Sequence, residues 1–171
     1  MNERARGNVL VACVGDRSYG DDGFGVAVAC ELDSLDLPDQ VVVVDYGLRG
    51  LDLACVLLEP WSAVVLVEAV ARGGAPGDLY LLEIEQGADD EMDADLQFMS
   101  PYRVLALARS MGEITAPVYL VGCERDSLED EFEARIGLSK PVSAAIPEAT
   151  RMVQWLIRQR LPVEAMAGPQ P

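Results

Sequence analysis

Short apolar runs without polar alternation recur along the chain and constrain its fold more than any other feature. Val9–Val14 and residues 41–44 and 64–67 are rich in β-branched side chains; a turn and a helix-like segment follow each of the first two, and a Gly- and Pro-containing turn follows the third. Such runs are typical of parallel strands that helices cover on both faces. With further strands at Leu79–Ile84 and residues 118–121, the sequence predicts an α/β fold, a three-layer sandwich in which helices flank a twisted, mostly parallel sheet of about five strands.

Helix-like segments follow the first, second and fourth of these runs. They are predicted at residues 24–32, 51–58 and 101–111, the last with Pro101 in its first turn and Gly112 as its stop. The fourth of the five runs follows a turn rich in Gly and Pro, so it is expected to pair antiparallel at the sheet edge.

The last helix precedes a tail without a pattern. Ser139 is the predicted N-cap of this helix, and Pro147 is placed to kink or break it. No linker composition divides the chain, so one α/β domain is expected over residues 1–161. Residues 162–171 contain three prolines and no apolar pattern, and are expected to be disordered.

The charge balance excludes two classes of partner. The chain has 13 Lys and Arg against 29 Asp and Glu, a net charge of −16 that repels nucleic acid and anionic membrane surfaces. No signal-peptide pattern and no run near the roughly 20 apolar residues of a membrane span is present in the sequence, so a cytoplasmic protein is expected.

The cysteine and histidine content narrows the possible chemistry. The four cysteines lie in apolar runs without a CxxC pair, which predicts buried thiols in a reducing compartment: Cys13, Cys30, Cys55 and Cys123. The chain has no histidine, which excludes Ser-His-Asp, Cys-His and HExxH sites. Any catalysis must use carboxylates, amides, hydroxyls, lysine, the backbone or a metal from outside.

Acidic residues follow three of the predicted strands, where ligands of α/β sheets bind. The first group lies in GDRSYGDDGFG, which differs from the GxGxxG motif of dinucleotide-binding proteins. Its aspartates would repel the negative charge of a bound phosphate. One of Asp21 and Asp22 is expected to cap the next helix and the other to face the crevice, while Gly23 allows close helix packing.

The other two strand ends carry Glu68 and Asp45. Asp22 and Glu68 are expected to converge and to hold a divalent cation through oxygen, or to act as an acid–base pair. Asp45, followed by Gly47, is interpreted as a residue that orients a loop.

Six motifs, in order, resemble those of the hydrogenase maturation proteases. They are VACVGDRSYGDDGFGVAVA, VVVVDYGLRGLDL, VVLVEAVARGGAPGDLYLLE, SPYRVLALARSMG, VYLVGCERDSL and IGLSKPVSAAI, and the resemblance spans about residues 8–157. It implies an endopeptidase that removes the C-terminal extension of a nickel-iron hydrogenase large-subunit precursor. It also implies that two acids and one histidine recognise nickel already inserted in that precursor, rather than a permanent cofactor.

Carried over to this sequence, the resemblance places the two acids at Asp22 and Glu68, as catalytic and metal-binding residues. The family's histidine position falls on Gln97, whose amide oxygen is a weaker nickel ligand than imidazole. Asp16 stands where the family commonly has Asn, so it adds a negative charge to the turn that carries Asp21 and Asp22.

Two other functions remain open. Because of Gln97, the chain is alternatively a non-catalytic relative that binds the precursor or an accessory protein as a chaperone or checkpoint. A third interpretation is an unrelated α/β domain that binds a metal or another ligand.

Overall fold

The predicted strands form one five-stranded sheet with the order β2-β1-β3-β5-β4 in the computed structural model, which describes residues 7–85, 101–126 and 137–161. In chain order, β1 to β5 are Val9–Val14, Val41–Gly47, Ala63–Val70, Leu79–Ile84 and Val118–Glu124. Four strands pair in parallel, and β4 pairs antiparallel with β5 at one edge. The predicted α/β class is confirmed.

Helices cover both faces of this sheet. They are α1, α2, α3 and α4, at Phe24–Asp33, Gly50–Val56, Pro101–Met111 and Lys140–Arg160. Alternate strand residues point to opposite faces, so Val9 and Val11 pack in the layer with α1 and α4, whereas Leu10 and Ala12 pack in the layer with α2 and α3. This gives the three expected layers, and no helix of the described residues has the length and apolar character needed to cross a bilayer.

Three details differ from the sequence-based expectations. The helix α4 begins after Ser139 as predicted but continues through Pro147, which lies on its exposed side. Water can therefore hydrate the carbonyl that lacks a helical partner there. Cys13 and Cys123 are buried as expected, whereas Cys30 and Cys55 are exposed because their helix positions face solvent.

Strand β3 extends beyond the predicted apolar run. It pairs with β5 from Val64 opposite Val118 to Val70 opposite Glu124. Glu68 therefore lies inside the strand, opposite Gly122, and not after its end. Backbone pairing continues past the point at which the apolar pattern stops, and it carries Glu68 on the α2–α3 face of the sheet.

Two glycines let the first turn approach the strands closely. A Cβ at Gly25 would lie 2.2 Å from the Val14 carbonyl oxygen and 2.5 Å from that of Val67. Gly15 has φ +137°, and a Cβ there would lie 1.9 Å from the Asp22 carbonyl oxygen. Only glycine at both positions allows the turn that carries Asp22 to lie against β1 and β3.

Candidate metal-recognition site

The turn after β1 and the end of β3 bring two carboxyl groups together. Asp22 lies in a single 3₁₀ turn, Gly20–Gly23, which packs against β3. The Asp22 side chain is 16% exposed, and Glu68 is only 5% exposed. The negative charge of Asp22 acts on Glu68, so the two carboxyl groups lie within electrostatic range of each other at the carboxyl edge of the sheet.

Burial changes the proton affinity of both groups. It raises the pKa of Glu68 well above its usual value, and the negative charge of Asp22 raises that pKa further. Burial also raises the pKa of Asp22, with contributions from Asp16 and Asp21, although the Arg125 guanidinium opposes the increase. The pair therefore favours a bound proton or a bound cation over two bare negative charges.

Burial and the charge of Asp22 both act against ionisation of the Glu68 carboxyl group, which is 5% exposed. A buried carboxylate is costly unless hydrogen-bond donors, a cation or a proton compensate its charge. Two carboxylate oxygens suit a divalent metal, and the same pair could serve as an acid and a base. Among the residues that the structure describes, no three His, Cys, Asp or Glu side chains form a group able to hold a metal ion. Complete coordination therefore requires ligands beyond these two.

Asp21 has a different role from the helix cap that the sequence suggested. Its two oxygens accept hydrogen bonds from the backbone N–H groups of Asp126, at 2.9 Å, and Ser139, at 2.6 Å. Neither Asp21 nor Asp22 caps α1, because the 3₁₀ turn intervenes and Gly23 takes the N-cap position without a side-chain bond. Asp21 instead fastens the first turn to the end of β5 and to the start of α4.

The remaining supporting residues order the loops at the rim. Asp16 accepts a hydrogen bond from the Ser18 N–H at 2.8 Å, and Asp45 accepts one from the Gly47 N–H at 2.9 Å. The second bond agrees with the loop-orienting interpretation of Asp45. At Gly23, a Cβ would lie 3.3 Å from the Arg17 Cα, which agrees with close packing.

The sequence pattern did not reveal the roles of two residues at the carboxyl end of β5, Glu124 and Arg125. Arg125 Nη1 lies 4.0 Å from Asp22 Oδ1. Glu124 is the buried last residue of β5. Its position at the end of an apolar strand was the available signal. The predicted ligand Gln97 lies outside the described residues.

Glu124 is surrounded by donors from the loop that follows β3 and from β4. It accepts hydrogen bonds from the backbone N–H groups of Arg72 and Gly73, at 2.9 and 3.0 Å, and from the Tyr80 hydroxyl at 2.9 Å. Burial alone would raise the pKa of Glu124, but these donors outweigh burial and lower it. Glu124 thus connects β5 to this loop.

Comparisons with known proteins agree on one family. The model of the hydrogenase maturation protease family matches residues 26–155. Hydrogenase expression/formation protein HupD of Rhodobacter capsulatus is 32% identical over 84% of this chain and 70% of its own length. The solved structure of the hydrogenase maturating endopeptidase HybD from E. coli is 29% identical with a TM-score of 0.71, covering 89% of this chain and 93% of that one. The hydrogenase 2 maturation peptidase from a Thaumarchaeota archaeon is 34% identical with a TM-score of 0.67, covering 88% and 98%.

Proposed function

The chain belongs to the hydrogenase maturation protease family, and we propose that it is an endopeptidase that removes the C-terminal extension of a nickel-iron hydrogenase large-subunit precursor after nickel insertion. One observation supports the proposal: the charge of Asp22 acts on the buried Glu68 at the carboxyl edge of the sheet. The nickel is part of the substrate in this proposal.

The two carboxyl groups would recognise nickel by exchanging a proton for a cation. The raised pKa of Glu68 means that a cation must displace a proton there, since ligand carboxylates bind metal in the ionised form. Recognition of nickel should therefore strengthen as the pH rises through the pKa of Glu68. Gln97 is the proposed third ligand, through its side-chain oxygen.

The absence of histidine from all 171 residues favours a second candidate function. An amide oxygen holds nickel less well than an imidazole, so this member would bind a nickel-loaded precursor without cutting it. It would then act as a checkpoint or chaperone in hydrogenase maturation.

Intact-mass measurement of a nickel-loaded precursor from the same organism, before and after incubation with the protein, separates the two functions. Loss of a C-terminal peptide with the wild type, and its absence with Asp22→Asn and Glu68→Gln, supports the protease. Asp52→Asn is the matched control, because Asp52 is an exposed acid on α2. Normal trimming by both site variants would overturn the assignment of these residues.

The variant Gln97→His tests the second candidate. Complex formation without a mass change by the wild type, together with cleavage by Gln97→His, would identify the natural protein as a binding relative. Cleavage by the wild type shows that histidine is dispensable here.

A further inference from the structure

We propose that Arg125 is a specificity-determining residue that disfavours free divalent cations at Asp22, so that the site responds to nickel held by a protein. The inference rests on the proposed function, because it concerns how the same carboxylate selects its metal. Its starting point is the 4.0 Å separation of Arg125 Nη1 from Asp22 Oδ1, with both side chains largely buried at 26% and 16% exposure.

Backbone contacts on both sides fix the position of Arg125. Its own N–H donates to the Val70 carbonyl at 3.0 Å, which continues the pairing of β3 with β5. The next residue, Asp126, donates its N–H to Asp21 at 2.9 Å. The backbone that carries the Arg125 side chain is therefore held by hydrogen bonds to the strand with Glu68 and to the turn with Asp22.

The positive charge of Arg125 offsets part of the negative potential that the neighbouring acids create at Asp22. Asp16 and Asp21 add negative potential at Asp22, whereas Arg125 adds positive potential. In a chain with a net charge of −16, an acidic crevice would otherwise concentrate any free divalent cation. Arginine suits this role because it stays charged at every physiological pH.

The positive charge of Arg125 repels a free aqueous metal ion more strongly than a metal ion that a protein already holds. A carboxylate ligand lies about 2 to 2.6 Å from its metal, so a cation on Asp22 brings two positive charges close to the guanidinium. Nickel in a precursor is already bound by ligands, and anionic ligands cancel part of its charge. Arg125 consequently penalises the free ion more than the protein-held ion.

The test measures binding of Ni²⁺ alone to the full-length protein, after removal of any affinity tag, by isothermal titration calorimetry. Arg125→Gln should bind free Ni²⁺ at least about tenfold more tightly than the wild type. Arg125→Lys should restore most of the wild-type affinity, and Arg158→Gln, at an exposed arginine in the last turn of α4, should match the wild type. Adding Asp22→Asn to Arg125→Gln should abolish the gain, which locates it at Asp22.

A second measurement compares KM and kcat for the nickel-loaded precursor. Arg125→Gln should improve KM by much less than its gain for free Ni²⁺. Equal gains for both forms of nickel, or an unchanged affinity for free Ni²⁺, would overturn the inference. Thermal melts confirm folding, and Arg125→Met replaces Arg125→Gln if that variant fails to fold.

The outcomes separate this inference from the proposed function. If Asp22→Asn stops precursor cleavage but Arg125→Gln leaves the affinity for free Ni²⁺ unchanged, only the proposed role of Arg125 is contradicted. If the Ni²⁺ affinities change as expected but the wild type leaves the precursor uncut, only the proposed protease activity is contradicted.

Discussion

Glu68 and Glu124 are two buried acids on the same face of the sheet, in neighbouring strands, with opposite proton affinities. They are 5% and 4% exposed, and Glu124 lies two register positions beyond the Gly122 that faces Glu68. Donors surround Glu124 and lower its pKa, whereas burial and Asp22 raise that of Glu68. The comparison shows that hydrogen-bond donors, more than depth, decide whether a buried acid stabilises the fold or remains available to a cation.

Removal of the satisfied acid should have the largest effect on stability. Glu124→Ala removes the charged acceptor of three hydrogen bonds, from the N–H groups of Arg72 and Gly73 and from the Tyr80 hydroxyl, so we expect a loss of about 3 kcal/mol in the free energy of unfolding. Urea denaturation measures this change, with Glu113→Gln as an exposed control. A loss no greater than that of the control would show that the loop reorganises around the missing acid.

Removal of the Glu68 charge should change the stability in the opposite direction. Glu68→Gln is isosteric and removes a buried charge, so the protein should gain about 2 kcal/mol near pH 8 while losing nickel recognition. Because the folded-state pKa lies above the usual value of 4.5, the wild type binds more protons when folded, and its stability falls as the pH rises between the two pKa values. The gain should therefore shrink towards pH 4, and denaturation curves at pH 4 and pH 8 measure it.

The adjacent pair Asp21 and Asp22 sharpens the comparison at a smaller scale. Asp21→Asn keeps one acceptor oxygen for two N–H donors, so we expect a loss of about 1.5 kcal/mol. Asp22→Asn removes an acid with a raised pKa and should leave stability within about 0.5 kcal/mol of the wild type. If both variants melted at the same temperature, the two hydrogen bonds that Asp21 accepts would contribute nothing measurable to stability.

The sequence predicted those parts of the molecule that local pattern determines. Continuous apolar runs located all five strands, and acids after the predicted strands gave Asp22 and Glu68 as candidates that lie near the carboxyl edge of the sheet. It failed where contacts join distant residues, as in the bonds from Asp21 to residues 105 and 118 positions further along the chain. It also failed at Glu124, since its donors belong to a loop whose approach no local pattern encodes.

The two bonds of Asp21 have a consequence for chain length. They hold Asp126 and Ser139 on the two oxygens of one carboxylate, so the chain between them begins and ends at fixed points in space. The entropy cost of closing a loop grows only with the logarithm of its length. Insertions between these two anchors should therefore cost little stability, and the interval can change in length among related enzymes while Asp22 keeps its position.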